Sequence, residues 1–250
     1  MSSDPTTLAR RVVHDSLVYA IVVAVWVYKL RHAGLGSTLE MALVGAVLAA
    51  MLGGLRVGAG LLFAADPWVH RRVVIGGVPR EFLWQCILEA VLASVIAGVV
   101  GACALALWST FTDVALWSLA QTQGVLLGVF VASVGVGATW SALLKADRMA
   151  VAFGFLTWMP VMTAFAWVPS MLPHSSGTLG HAVNASPMMG VMSALDRRDV
   201  FWSPLFYGRF PYAEYAVHVH DAGVHMVVWL AVGICLLAAN GWWLRRRWLA

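Results

Sequence analysis

The sequence predicts an all-α integral membrane protein, and three observations lead to that class. Of its 250 residues, 61% are hydrophobic and only 11% are charged, against about 25% charged in an ordinary soluble domain. The mean hydropathy of +0.81 leaves too few polar groups to cover a water-facing surface. It also excludes a disordered chain, which needs low hydrophobicity and high net charge. Finally, the apolar stretches have the length of helical spans. A helix rises about 1.5 Å per residue, so a hydrocarbon core of about 30 Å takes roughly 20 residues. The ten-residue alternation of a membrane barrel is absent.

Six spans meet that length: residues 12–30, 39–64, 82–107, 116–143, 149–172 and 221–244. The Arg10-Arg11 pair precedes the first. No small-residue cleavage site follows it, so the first stretch reads as a retained span rather than a leader. Basic residues orient the bundle. With both termini cytoplasmic, ten Lys and Arg fall inside: Arg10, Arg11, Arg71, Arg72, Arg80, Lys145, Arg148 and Arg245 to Arg247. Five fall outside: Lys29, Arg31, Arg197, Arg198 and Arg209. The excess is the positive-inside pattern. It accounts for the net charge of +4 without a nucleic-acid partner. Cys86, Cys103 and Cys235 sit in apolar runs with no CxxC, so neither a disulfide framework nor a zinc site is indicated.

Two connections are long enough to hold structure, an inner loop at 65–81 and an outer loop at 173–220. In the outer loop Ser186 stands at a helix N-cap position and Pro187 at the first helical position. Met188, Val191, Met192 and Leu195 then fall at i, i+3, i+4 and i+7. This spacing predicts a short amphipathic helix resting on the outer ends of the spans or in the membrane interface. The aromatic run Trp202, Phe206, Tyr207, Phe210, Tyr212 and Tyr215 follows, as expected at headgroup level.

Charges inside spans are costly and therefore informative. Arg56 and Glu89 lie at a similar depth on the second and third spans, about 10–12 Å from the inner end by helical rise. They are expected to pair or to face one polar cavity. Gly54 with Gly58, and Gly124 with Gly128, form two GxxxG spacings. In a chain with 23 glycines such spacing is weak evidence for a particular interface. Near the sixth span, His218, Asp221 and His225 would share one face if the segment were helical, and could then ligate copper or zinc. Against that reading, the same residues serve as polar flanks of a span, with Asp221 suited to a helix N-terminus. No GxxxxGK[ST], GxSxG or HExxH occurs, so the chain has no nucleotide-hydrolysing or hydrolase motif of its own.

The layout resembles the permease subunits of ABC transporters, specifically the ABC-2 exporter type. Four stretches carry the likeness. Asp66-Pro67-Trp68 through Val78-Pro79-Arg80-Glu81-Phe82-Leu83 is similar to the cytoplasmic coupling segment that leads into span three. Ser141 to Ala150 is similar to the basic inner turn between spans four and five. Asn184-Ala185-Ser186-Pro187-Met188-Met189 is similar to the asparagine-proline start of the outer helix, and Arg245-Arg246-Arg247 closes the last span. The inner loop departs from many members in placing Asp66 and His70-Arg71-Arg72 where they carry a glutamate-rich run. The resemblance implies a multi-pass permease of the bacterial inner membrane, without a cofactor of its own. It would work with a cytoplasmic ATP-binding subunit that holds ATP and Mg, and with a second permease copy or homologue. Arg71, Arg72, Arg80 and Glu81 are then the expected ATPase contacts. The alternatives from the residues alone are a membrane subunit of an oxidoreductase or metal-dependent monooxygenase complex, built on the His218–His225 cluster, and an ion-coupled transporter using Arg56 and Glu89.

Overall fold

The computed structural model describes residues 38–63, 115–144, 147–164, 168, 171, 176–195 and 218–249. Every described element is helical: α1 (Thr38–Phe63), α2 (Leu116–Leu144), α3 (Asp147–Met162), α4 (Ser176–Asn184), α5 (Pro187–Ala194) and α6 (Ala222–Leu249). Two of them, α2 and α6, are long and apolar enough to cross a membrane by length and composition. The apolar stretches Gly45–Gly60 of α1 and Arg148–Met162 of α3 are shorter. The expected spans at 39–64, 116–143 and 221–244 coincide closely with α1, α2 and α6. The expected spans at 12–30 and 82–107 lie outside the described residues.

The fifth expected span, 149–172, coincides with α3 as far as Met162; Ala164, Val168 and Met171 are also helical, and its other residues beyond Ala164 lie outside the described residues. Its regular helix ends at Met162, with Pro160 inside the last turn. Proline offers no N–H to the carbonyl four residues back and its ring crowds that carbonyl. Thr163 follows as a turn, its amide bonded to Met159 O at 3.1 Å.

The 29-residue α2 is the centre of the bundle. It packs against α1, α3, α5 and α6, and 72% of its apolar window is buried, against 22% for α6. An α-helix of that length spans about 43 Å. Its contact with α1 is at backbone distance. A Cβ on Gly54 would collide with the carbonyl of Phe130 and come to 2.7 Å from Ser133 Cβ, and one on Gly58 would collide with the carbonyl of Val134. Gly137 reciprocates, lying against the carbonyl of Leu55. The second GxxxG faces the other neighbour. A Cβ on Gly124 would meet Met226 Sδ at 2.7 Å, and one on Gly128 would meet Met226 O at 3.0 Å. Both glycine pairs are therefore interfaces, more specific than their frequency in the sequence implied.

Polar side chains fasten the same helix at one turn. Ser141 Oγ donates to Ala59 O of α1 at 2.9 Å. Trp140 Nε1 donates to Thr157 Oγ1 of α3 at 2.9 Å. Asn240 Nδ2 of α6 donates to Thr139 Oγ1 at 2.9 Å. Successive helical residues point about 100° apart, since 3.6 residues make one turn. Three consecutive side chains thus reach three different helices.

A side chain at Gly58 should break the α1–α2 contact. Gly58→Leu is expected to destabilise the purified protein by about 1–3 kcal/mol or more, as overpacking does, read as a lowered thermal midpoint in detergent. At Gly60 an added Cβ meets nothing within 4 Å, so Gly60→Ala should be neutral or stabilising by up to about 1 kcal/mol through helix propensity.

Candidate functional site

One end of the bundle gathers α4, α5, the start of α6 and the end of α3. The sequence reading anticipated α5 from Ser186 and Pro187, and the helix does begin at Pro187. Ser186 occupies the N-cap in extended conformation (φ −85°, ψ 124°) without a capping side-chain bond. Its hydroxyl donates instead to Met162 O at 3.0 Å, which ties α5 to the end of α3. The helix packs on α1, α2 and α6 and is buried beyond the single apolar stripe expected. Pro187, Met189, Gly190, Val191, Met192 and Ala194 are all buried. With Ser193 as its one polar side chain, α5 is apolar nearly all round, and such a helix belongs in a core rather than at an interface. Helix α4 was missed by sequence reasoning. Its composition, SGTLGHAVN, mixes two glycines with polar residues and offers no clear helical period.

Asn184, the last residue of α4, organises the junction. Its Nδ2 donates to Gly180 O and to His218 O, both at 2.8 Å. Its Oδ1 accepts the His220 amide at 2.7 Å. One side chain therefore closes the end of α4 and holds the strand of chain that enters α6. The asparagine of the Asn184–Pro187 motif has a structural use that its sequence position alone did not reveal.

The candidate metal ligands His218, Asp221 and His225 do not assemble as the helical spacing required. Helix α6 starts only at Ala222, so His218 and Asp221 precede it and the i, i+3, i+7 register never applies. Asp221 does stand at the helix start, its carbonyl accepting the amides of Val224 at 3.0 Å and His225 at 3.3 Å. His218, His220 and Asp221 are exposed and His225 is buried. The imidazoles of His218 and His220 meet edge-on at 5.8 Å between centroids, and those of His220 and His225 at 6.5 Å. Among the described residues no three His, Cys, Asp or Glu side chains form a group able to hold a metal ion.

His225 enters a different constellation. It is 3% exposed, and α5 passes directly over it. A Cβ on Gly190 would stand 2.6 Å from His225 Cβ and 2.7 Å from its Cγ, so only glycine allows this crossing. One turn further along α6, Trp229 stacks on Trp158 of α3, ring centroids 5.0 Å apart and tilted by 43°. His225 Nε2, Trp229 Nε1 and Trp158 Nε1 are all buried without a hydrogen-bond partner among the described residues. Nothing in the sequence marked Trp158 or Trp229 out from the other tryptophans, because burial of an indole edge depends on three helices at once.

Arg56 lies on the exposed side of α1, away from the Gly54 and Gly58 face. Glu89, its expected partner, lies outside the described residues, as do the expected ATPase contacts Arg71, Arg72, Arg80 and Glu81.

Removing the Asn184 side chain should loosen the start of α6. Asn184→Ala is expected to raise hydrogen exchange at the His220 amide by at least about tenfold, equivalent to ~1.4 kcal/mol. Asn184→Asp keeps the acceptor for that amide and should leave its exchange slower than in Asn184→Ala. Compared with known proteins, the chain matches no family model, no curated protein and no solved structure.

Proposed function

We propose that this chain is the membrane-spanning subunit of an ATP-driven exporter of the ABC-2 type. In this reading it is a multi-pass protein of the bacterial inner membrane with six spans and cytoplasmic termini, paired with a second permease copy or homologue. A separate cytoplasmic subunit holds ATP and Mg and drives the cycle. The observation that carries the reading is the short helix between the last two spans. It begins at Pro187, as the Asn184–Pro187 resemblance implies, and Asn184, just before it at the end of α4, is bonded to the chain entering α6. Two further features support a transport subunit. The apolar lengths of α2 and α6 suit a bilayer, and glycine-mediated approaches at backbone distance are the packing that helices use in lipid.

Coupling then runs through the inner loop at 65–81. ATP-driven closure of the partner subunits pushes on Arg71, Arg72, Arg80 and Glu81. The push passes into the adjoining spans and shifts the permease pair between inward- and outward-open states. Arg56 and Glu89 form the intramembrane charged pair of this machine and hold the second and third spans in register.

The test is recovery of the driving subunit. Affinity purification of the tagged chain from its native membrane should bring down an ATP-binding protein. Replacing Arg80 and Glu81 together by Ala should reduce that recovery at least about tenfold, which corresponds to ~1.4 kcal/mol of lost association. If no ATP-binding subunit is recovered with the unaltered chain, or if the double variant recovers it equally, the coupling assignment fails.

A further inference from the structure

The buried polar side chains of the described bundle divide into two groups. Thr122, Ser133, Ser141 and Ser186 are fully buried, and each hydroxyl donates to a backbone carbonyl: Ser118 O, Val129 O, Ala59 O and Met162 O respectively. His225, Trp158 and Trp229 are also more than nine-tenths buried, yet Nε2 and the two indole Nε1 atoms have no hydrogen-bond partner among the described residues. Buried polar groups are ordinarily bonded, and each exception calls for a physical reason. Here three exceptions are neighbours. His225 and Trp229 are four residues apart on one buried face of α6, and the Trp158 ring packs on Trp229 at 5.0 Å.

We propose that this junction of α3, α5 and α6 is a binding position for an uncharged hydroxyl or carbonyl oxygen carried on an apolar, lipid-like molecule. The chemistry of the three nitrogens selects the group. An indole N–H only donates, so two of the three call for an acceptor, while a neutral imidazole nitrogen can donate or accept. An oxygen with two lone pairs can accept from an indole N–H, and a hydroxyl can in addition donate to a neutral imidazole nitrogen. The surroundings exclude an ion. Val125, Val129, Met162, Val191 and Met192 belong to the same core, and Arg56, Arg148 and Asp221 are exposed. A charge there would lack a partner in an apolar medium, at heavy cost.

The body of the same molecule has a place beside the junction. A mostly apolar groove of about 390 Å³ runs between the end of α3 and α4, lined chiefly by Pro160, Val161, Ala164 and Ala182, with Thr178 and His181 also on its wall. Val161 lies three residues from Trp158 on α3, while Trp158, Trp229 and His225 do not themselves line the groove. Helix α5 closes the position from above, its backbone at Gly190 lying on the His225 ring, so the ligand enters by displacement of α5. The position is a property of this chain and holds whether or not an ATPase drives it.

The experiment uses the full chain in lipid nanodiscs and octadecanol bearing a mid-chain diazirine. Photolysis should place adducts within residues 155–162 and 187–192. Excess octadecanol should suppress them and octadecane should not. Trp158→Phe and Trp229→Phe each keep an aromatic ring and remove one N–H. Each should lower labelling about fivefold to tenfold while leaving the thermal midpoint unchanged or raised, since deleting an unbonded buried donor removes a penalty. The proposal is overturned if adducts at these residues are absent, if octadecane competes as well as octadecanol, or if labelling survives both substitutions. It is equally overturned if either Phe variant clearly lowers the thermal midpoint, because the N–H would then serve a structural bond such as a fixed water.

Discussion

The backbone-to-backbone contact between α1 and α2 is the constraint from which the other placements follow. Gly54 and Gly58 lie against the carbonyls of Phe130 and Val134, and Gly137 lies against that of Leu55. In the proposed membrane setting, there is no gain between helices from removing apolar surface from water. Close packing, weak polar contacts between backbones and a few hydrogen bonds must suffice. Small residues at the crossing bring many atoms into dispersion range, and each of those contacts is individually tiny. With α1 fixed on one side of α2, the turn at Thr139, Trp140 and Ser141 aims its three polar groups at α6, α3 and α1 in turn. The crossing and the polar turn reinforce each other, since neither partner set is reachable unless the helices are already close.

The other end of the bundle is arranged differently. There the packing is supplied by α5, a two-turn apolar insert held by bonds at its boundary. Ser186 reaches α3 and Asn184 reaches the chain entering α6. An insert held mainly at its edges can be displaced without unpicking the central helix crossing. The two ends of α2 are held differently: the end near Ser141 by hydrogen bonds between α2 and three helices, and the end near Val125 by the close approach of Gly190 to His225. The buried nitrogens of His225, Trp158 and Trp229 lie at the end that α5 covers.

Much of this was legible in the sequence. The helical class and the limits of α1, α2 and α6 follow from apolar length alone. The start of α5 follows from the fixed backbone geometry of Pro187. Each is a local property, set by residues adjacent in the chain. The stripe expected on α5 through Val191 and Met192 was real, and Met189 and Gly190 were buried as well. Periodicity identifies one apolar face; it does not say that a second helix will cover the opposite one. The helical register assumed for His218, Asp221 and His225 is absent because α6 starts at Ala222, and a helical register exists only within a helix.

Composition by itself determined that this chain is apolar, with 61% hydrophobic residues, and the length of its apolar runs anticipated that the described elements are helices. Spacing determined where glycines pair, as at 54 and 58 or 124 and 128. Only the tertiary structure decided that the first pair meets α2 and the second meets α6, that Asn184 binds a segment 34 to 36 residues away, and that Trp158 and Trp229 turn their N–H edges inward. The physical reason is common to all three. A residue's neighbours along the chain fix its backbone conformation, but its partner is fixed by which helix faces meet, and that depends on contacts between segments far apart in sequence.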